Sequence, residues 1–172
     1  MPAASLASLL AAWREADRRW EAQGSPDEIR AAAMDVARAY AAYQSAALPE
    51  ETGEFIMVAD GDQGYVAVTS GVTRVLGYAP EDLIGRRIED VAAPELRSAT
   101  PERWDRFLID GRQEGRFRLR ARDGTPVWLR YQARAHYPVA GFHISRLWPD
   151  DAAEPDNAAE PDDAAEESPA GR

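Results

Sequence analysis

The chain has 172 residues, with 30 acidic and 20 basic side chains and a formal net charge of −10. Residues 1–50 hold 5 arginines and 7 acids, residues 51–149 hold 14 of each, and residues 150–172 hold 1 arginine and 9 acids. A basic nucleic-acid-binding domain is therefore not expected. The absence of cysteine and lysine excludes thiol nucleophiles, zinc–thiolate sites and lysine Schiff-base chemistry.

Residues 1–49 predict a helical hairpin that serves as a dimerisation arm. Two apolar stripes recur every three or four residues, one from Leu6 to Trp20 and one from Ile29 to Ala47. Gly24 ends the first helix, and the sequence Ser-Pro-Asp-Glu at 25–28 has the pattern of a capping box that starts the second. We expect the two helices to pack on each other or on a partner.

Residues 50–149 predict a domain whose elements alternate in a definite order. Strands are expected at 55–59 and 65–68, joined by the turn at 60–64, and Thr69-Ser70 offers a cap for the first of several short helices, at 71–76, 80–84 and 88–92. A longer helix follows from Thr100, as its cap, to Gly111. The period then changes to two, which predicts three strands at 117–121, 127–135 and 142–146. This order predicts an α+β fold with a five-stranded antiparallel sheet and short helices on one face.

Residues 150–172 are of low complexity. DAAEPD, NAAEPD and DAAEES are three imperfect copies of one six-residue unit. Such a segment buries too little apolar surface to offset its chain entropy, so it is expected to be disordered. It is either a solubilising tail or an interaction tail that mimics a polyanion.

The middle of the chain resembles a PAS domain. The resemblance rests on YVAVTSGVTRVLGYAPEDLIGRRIEDV, which starts at Tyr65, and on EGRFRLRARDGTPVWLRYQARAHYPVAGFHISR, which starts at Glu114. It implies a five-stranded sheet with helices over one face, a small pocket between them, and a role in sensing and dimerisation rather than catalysis. The chain departs from the family where Leu-Trp-Pro-Asp follows Arg146 in place of Asp-Ile-Thr and an output helix. Any output is therefore expected to come from another chain.

Twelve residues of the predicted sheet and helices are candidates to face the pocket. A packed core would use the same residues, so they predict either a ligand pocket or a core without a ligand. They are Val72, Val75, Leu76, Leu83, Trp104, Phe107, Phe117, Leu119, Leu129, Tyr131, Phe142 and Ile144.

No cofactor is predicted. Family members that form flavin or coumarate adducts use a cysteine, and haem-binding members use a histidine of the long helix, which this sequence lacks between 101 and 111. His136 and His143 are expected to lie opposite each other across the last hairpin. Two histidines without a third ligand do not predict a metal site, but a close pair gives a pH-sensitive contact.

An arginine row is the second candidate site. Arg116, Arg118, Arg120 and Arg122 alternate with apolar residues, and Arg130 and Arg134 on the next strand join them. Acids of the helical arm, such as Glu15, Asp17 and Asp35, would neutralise this face, or it is solvated. Alternatively it docks an acidic partner or the chain's own tail. A nucleic-acid surface would need aromatic platforms beyond Trp128.

These patterns together predict a signalling protein with a single PAS-type sensory domain. It is expected to bind a small ligand or a protein partner and to pass the signal through its N-terminal helices to a dimer mate or another protein. The alternative is a ligand-free dimerisation and docking module. No nucleophile, base or carboxylate pair converges, so the chain is not expected to be an enzyme. No apolar run reaches 18 residues, the length that a membrane-spanning helix needs, and the N-terminus lacks the basic region of a signal peptide. A cytoplasmic location without membrane attachment is therefore expected.

Overall fold

The computed structural model describes residues 5–20, 24–48, 52–97 and 100–151. Its elements follow the predicted order. They are α1 (Leu6–Trp20), α2 (Pro26–Ala46), β1 (Phe55–Asp60), β2 (Tyr65–Val68), α3 (Gly71–Leu76), α4 (Pro80–Leu83), α5 (Ile88–Val91), a 3-10 turn (Pro94–Leu96), α6 (Thr100–Asp110), β3 (Arg112–Arg120), β4 (Pro126–Arg134) and β5 (Phe142–Pro149). The predicted disordered tail lies outside the described residues from position 152 onward.

The five strands form one antiparallel sheet in the order β2-β1-β5-β4-β3. The last strand therefore lies in the centre, between β1 and β4. Helices α3 to α6 cover one face of this sheet, which we call the inner face, and their apolar side chains share a core with Phe55, Met57 and Leu129. The predicted α+β fold with a five-stranded antiparallel sheet is confirmed.

The N-terminal helices cover part of the opposite, outer face. Their start signals work as predicted: the Ser25 side chain accepts a hydrogen bond from the Glu28 amide, and the Glu28 carboxylate accepts one from the Ser25 amide. Trp13 of α1 packs edge-on against Tyr40 and stacks on Tyr43 of α2, with ring centroids 4.9 and 5.7 Å apart. The two helices thus form the predicted hairpin.

Helix α2 seats this hairpin on the chain's own sheet. Small side chains on its buried side, among them Ala33, Ala37 and Ala41, let the helix backbone approach the strands closely. Its contacts are with β1, β2 and β5. Three hydrogen bonds fix the position: from Arg30 to the Asp60 carboxylate, from Arg38 Nε to the carbonyl oxygen of Val66, and between the hydroxyls of Tyr40 and Tyr137.

Two local predictions differ from the structure. Ser70 does not cap α3; instead, the hydroxyl of Thr69 accepts a hydrogen bond of 2.8 Å from the amide of Ile56 and so joins β2 to β1. Strand β5 also continues three residues beyond Arg146, because Leu147 enters the inner core, where it is 5% exposed. Among the described helices none is long and apolar enough to span a membrane.

Candidate functional site

A cavity of about 100 Å³ lies between the inner face of the sheet and α6. All five strands contribute to its wall, together with α5 and α6, so the fold itself creates the space. The wall is largely apolar and aromatic, with a few polar groups. Its residues are Met57, Ala59, Tyr65, Ile88, Arg103, Trp104, Phe107, Gln113, Phe117, Leu119, Tyr131, Ala133, His143, Ser145 and Leu147.

Five of the twelve predicted pocket residues line this cavity. They are Trp104, Phe107, Phe117, Leu119 and Tyr131. Five more belong to the same inner core without lining the cavity: Val72, Val75, Leu76, Leu83 and Leu129. The alternation along β3 and β4 therefore identified the inner face of those two strands.

The structure contradicts the prediction that Phe142 and Ile144 face the pocket. Both lie in the outer core, beneath the N-terminal hairpin, and the residue between them, His143, lines the cavity instead. The prediction assumed that only one face of the sheet is covered, so that the apolar residues of a strand point to that face. Here the hairpin covers the second side as well, so apolar residues face both ways.

His143 is a buried, neutral histidine in the wall of the cavity. The residue is 3% exposed, and its ring lies edge-on to Trp104 and Phe107, with centroids 5.0 and 5.8 Å away. Its Nδ1 accepts a hydrogen bond of 3.2 Å from the His136 backbone amide. The ring proton of the neutral form therefore lies on Nε2.

The two histidines are in contact, as the hairpin prediction required, with ring centroids 4.9 Å apart. Burial, followed by the nearby charge of His136, lowers the pKa of His143 to about 4, against the smaller opposing effect of Asp60. His136 is exposed and adopts a left-handed backbone conformation with φ 54°. Within the described ranges no group of three or more metal-binding side chains occurs.

Polar groups on α6 and the strands give the cavity a chemical polarity. Arg103 donates a hydrogen bond of 3.3 Å to the hydroxyl of Tyr131, and its guanidinium lies 5.9 Å from the centre of the Phe117 ring. Burial raises the pKa of Tyr65 on the opposite side. No carboxylate is among the lining residues. The cavity thus offers hydrogen-bond donors around an aromatic interior.

The sequence reasoning missed ten lining residues. Met57 and Ala59 lie in the continuous apolar run of β1, which carries no periodicity that separates the two faces. Arg103 lies one residue before the predicted Trp104 on α6, and helical spacing alone does not show that a guanidinium enters a cavity wall. The other missed residues are Tyr65, Ile88, Gln113, Ala133, His143, Ser145 and Leu147.

The arginine row occupies the outer face of β3 and β4. Arg116 lies directly opposite Arg130, and Arg118 directly opposite Trp128. The guanidiniums of Arg116 and Arg118 both lie 5.1 Å from the centre of the Trp128 ring. We call this surface, formed by Arg116, Arg118, Trp128 and Arg130, the arginine–tryptophan face.

The acids that contact this row differ from those expected. Asp150 pairs with both Arg116 and Arg130, and Glu95 pairs with Arg118. The expected partners on the hairpin lie on the other half of the outer face, since α2 contacts β1, β2 and β5.

The remaining predicted members of the row have separate roles. Arg120 donates to the carbonyl oxygen of Asp90, and Arg134 lies 4.0 Å from the centre of the Tyr137 ring. Arg122 follows the end of β3 and pairs with Asp82, so it is not part of the strand row.

Comparisons with known proteins agree with this architecture. A family model described as the PAS fold matches residues 65–151, half of the chain. The aryl hydrocarbon receptor nuclear translocator homolog of Drosophila melanogaster is 36% identical over 87 residues, which cover 48% of this chain and 13% of the relative.

Solved structures show the same fold at low sequence identity. A PAS domain from Colwellia psychrerythraea superposes with a TM-score of 0.55 at 16% identity, covering 64% of this chain and 97% of that one. The PAS-B domain of Drosophila melanogaster Cycle, with bound ethylene glycol, superposes with a TM-score of 0.50 at 19% identity, covering 56% and 99%. Since the family model matches half of the chain, the chain belongs to the PAS family, whose domains are sensory and protein-interaction modules.

Proposed function

We propose that this chain is a cytoplasmic sensory module that binds a small organic ligand in the inner cavity. Ligand binding changes the packing of the N-terminal hairpin, which passes the signal to another chain. The observation that carries the proposal is the two-sided position of β5. Its residue His143 lines the cavity, whereas Phe142 and Ile144 pack beneath the hairpin.

The turn before β5 provides a second connection between cavity and hairpin. The backbone amide of His136 holds the His143 ring, and the next residue, Tyr137, bonds to Tyr40 of α2 through its hydroxyl. A ligand that moves the His143 ring must break or shift the His136 contact. The hairpin packing changes in response, because the same short turn carries both contacts.

The size of the cavity limits the ligand class. An apolar cavity of about 150 Å³ binds benzene, whereas pockets for drug-sized molecules measure about 300–1,000 Å³. With about 100 Å³, the cavity suits a molecule of a few non-hydrogen atoms whose acceptor meets Arg103 or Tyr131. Haem and flavin are not part of the proposal, because both greatly exceed this volume. The ethylene glycol in Cycle PAS-B is a molecule of the expected size.

A titration with ethylene glycol, followed through backbone amide chemical shifts, tests ligand binding and transmission separately. Saturable shifts at cavity residues such as Ala133 and Ser145, together with shifts at Val36 and Ala37 of α2, are expected. The variant Ala133→Leu fills the cavity and is the matched control, in which both sets of shifts should disappear. Cavity shifts without α2 shifts would refute transmission. Unchanged cavity amides throughout the ethylene glycol titration would refute ligand binding.

The second candidate function is a ligand-free dimerisation or docking module. It is favoured by the arginine–tryptophan face, where Arg116 and Arg130 have side chains 49% and 56% exposed. Sedimentation velocity with and without ethylene glycol distinguishes the two functions. A sensor should change its association when ethylene glycol binds, whereas a docking module should show the same association in both samples.

A further inference from the structure

The arginine–tryptophan face carries more positive charge than the described acids on it balance. Its three arginines, Arg116, Arg118 and Arg130, pair with two acids, Asp150 and Glu95. Beside it, the same side of β3 and β4 carries three further arginines and one glutamate: Arg112, Arg120, Arg134 and Glu114. Arg116 and Arg130 lie directly opposite each other. Like charges in this position are unfavourable without an anion between them.

Asp150 shows how an acidic chain segment fits this face. Its side chain is 3% exposed, and one carboxylate meets the Nε groups of both Arg116 and Arg130. Its amide donates to the carbonyl oxygen of Trp128. Beside it, the Nε of Arg118 is buried and has no hydrogen-bond partner among the residues that the structure describes.

The most acidic part of the chain begins next to this contact. Residues 152–172 hold seven acids and a single arginine, and they follow Asp150 after only one further described residue. Glu154 and Asp156 are four and six positions beyond Asp150, a reach of about 13–20 Å in an extended chain. The strands β3 and β4, at nine residues each, are about 30 Å long. The segment therefore reaches every arginine of the face.

We propose that residues 152–168 dock on the arginine–tryptophan face of the same molecule and screen it from other acidic proteins. The segment is favoured over acidic segments of other proteins because it is covalently attached next to the face. A short connection gives an effective concentration in the millimolar range, so contacts that are individually weak suffice for substantial occupancy. An acidic segment of another protein at micromolar concentration competes at a disadvantage of about a thousandfold in concentration.

The absence of cysteine allows a direct test on the full chain. Ala159→Cys supplies a single site for a nitroxide label, whose effect on amide signals shows which surface the segment visits. At low salt, amides of β3 and β4 near Trp128 should broaden several-fold more than those of β2. In 0.5 M NaCl the difference should fall close to zero, because screening shortens the Debye length to below about 5 Å. The matched control carries the same label with the seven acids of 152–172 replaced by asparagine or glutamine.

Each outcome decides the proposal. Selective broadening that is lost in the neutralised control and is independent of protein concentration supports docking within one molecule. Equal broadening of β2 and β4 refutes docking. A mixed sample combines isotope-labelled chains that carry no nitroxide with nitroxide-labelled chains at natural isotope abundance. Broadening in this sample shows docking on a second copy, which refutes the same-molecule proposal. The substitutions lie outside every described element, so loss of the fold does not confuse the result.

Discussion

The buried neutral state of His143 makes folding stability depend on pH. Its pKa is lowered from 6.5 to about 4 in the folded protein, so the unfolded chain takes up the proton first as the pH falls. The stabilisation is fully present above pH 6.5 and is lost as the pH falls toward 4. Between pH 7.5 and pH 5.0 the two pKa values correspond to a decrease of about 2 kcal/mol in the free energy of unfolding, since each pKa unit is worth about 1.4 kcal/mol.

Urea unfolding at pH 7.5 and pH 5.0 measures this loss against the variant His143→Gln. The variant starts from a lower stability, because it loses the ring contacts with Trp104 and Phe107, but its pH dependence should be about 2 kcal/mol smaller. His136→Asn is the matched control, since asparagine tolerates the left-handed backbone at that position. It should keep most of the pH dependence. An equal change with pH in the native chain and in His143→Gln would refute the reasoning.

Two further substitutions test how the sheet is held between its covering layers. Tyr40→Phe removes the hydroxyl bond to Tyr137 and should lower the free energy of unfolding by about 1 kcal/mol; an unchanged urea midpoint would show that the bond contributes nothing in solution. Gly71→Ala should lower the free energy of unfolding by about 1–3 kcal/mol, because a Cβ there would overlap the carbonyl oxygen of Glu54. Gly61→Ala is the control, because a Cβ at that position meets no atom within 4 Å. Equal thermal midpoints for the two alanine variants would contradict the close approach.

The order of elements could be predicted because each boundary has a local cause. Gly77 takes the left-handed conformation that ends α3, and Ser25 caps α2. The alternation in β3 and β4 indicates the inner face because their outer face is exposed and polar. These signals depend on neighbours in sequence, so a single sequence contains them.

The cavity could be predicted only in part, because its shape depends on contacts between distant segments. Nothing near His143 in the sequence shows that a hairpin more than 90 residues earlier covers the other side of its strand. The partner of Arg116 was missed for the same reason: Asp150 follows β5 and reaches β3 only because β5 lies beside β4.

The position of α2 on the outer face also determines how the hairpin can act. The predicted boundary at residues 49 and 50 divides the sequence, but Val36 and Ala37 belong to the same buried apolar cluster as Val58 and Ile144, which lie beyond that boundary. The sheet is thus the middle of three layers, and amide protons of α2 should exchange with the same protection as those of β1. A regulator that acts through this hairpin would then move the hairpin as a rigid body relative to the sheet, since detaching the hairpin would expose the outer core to water.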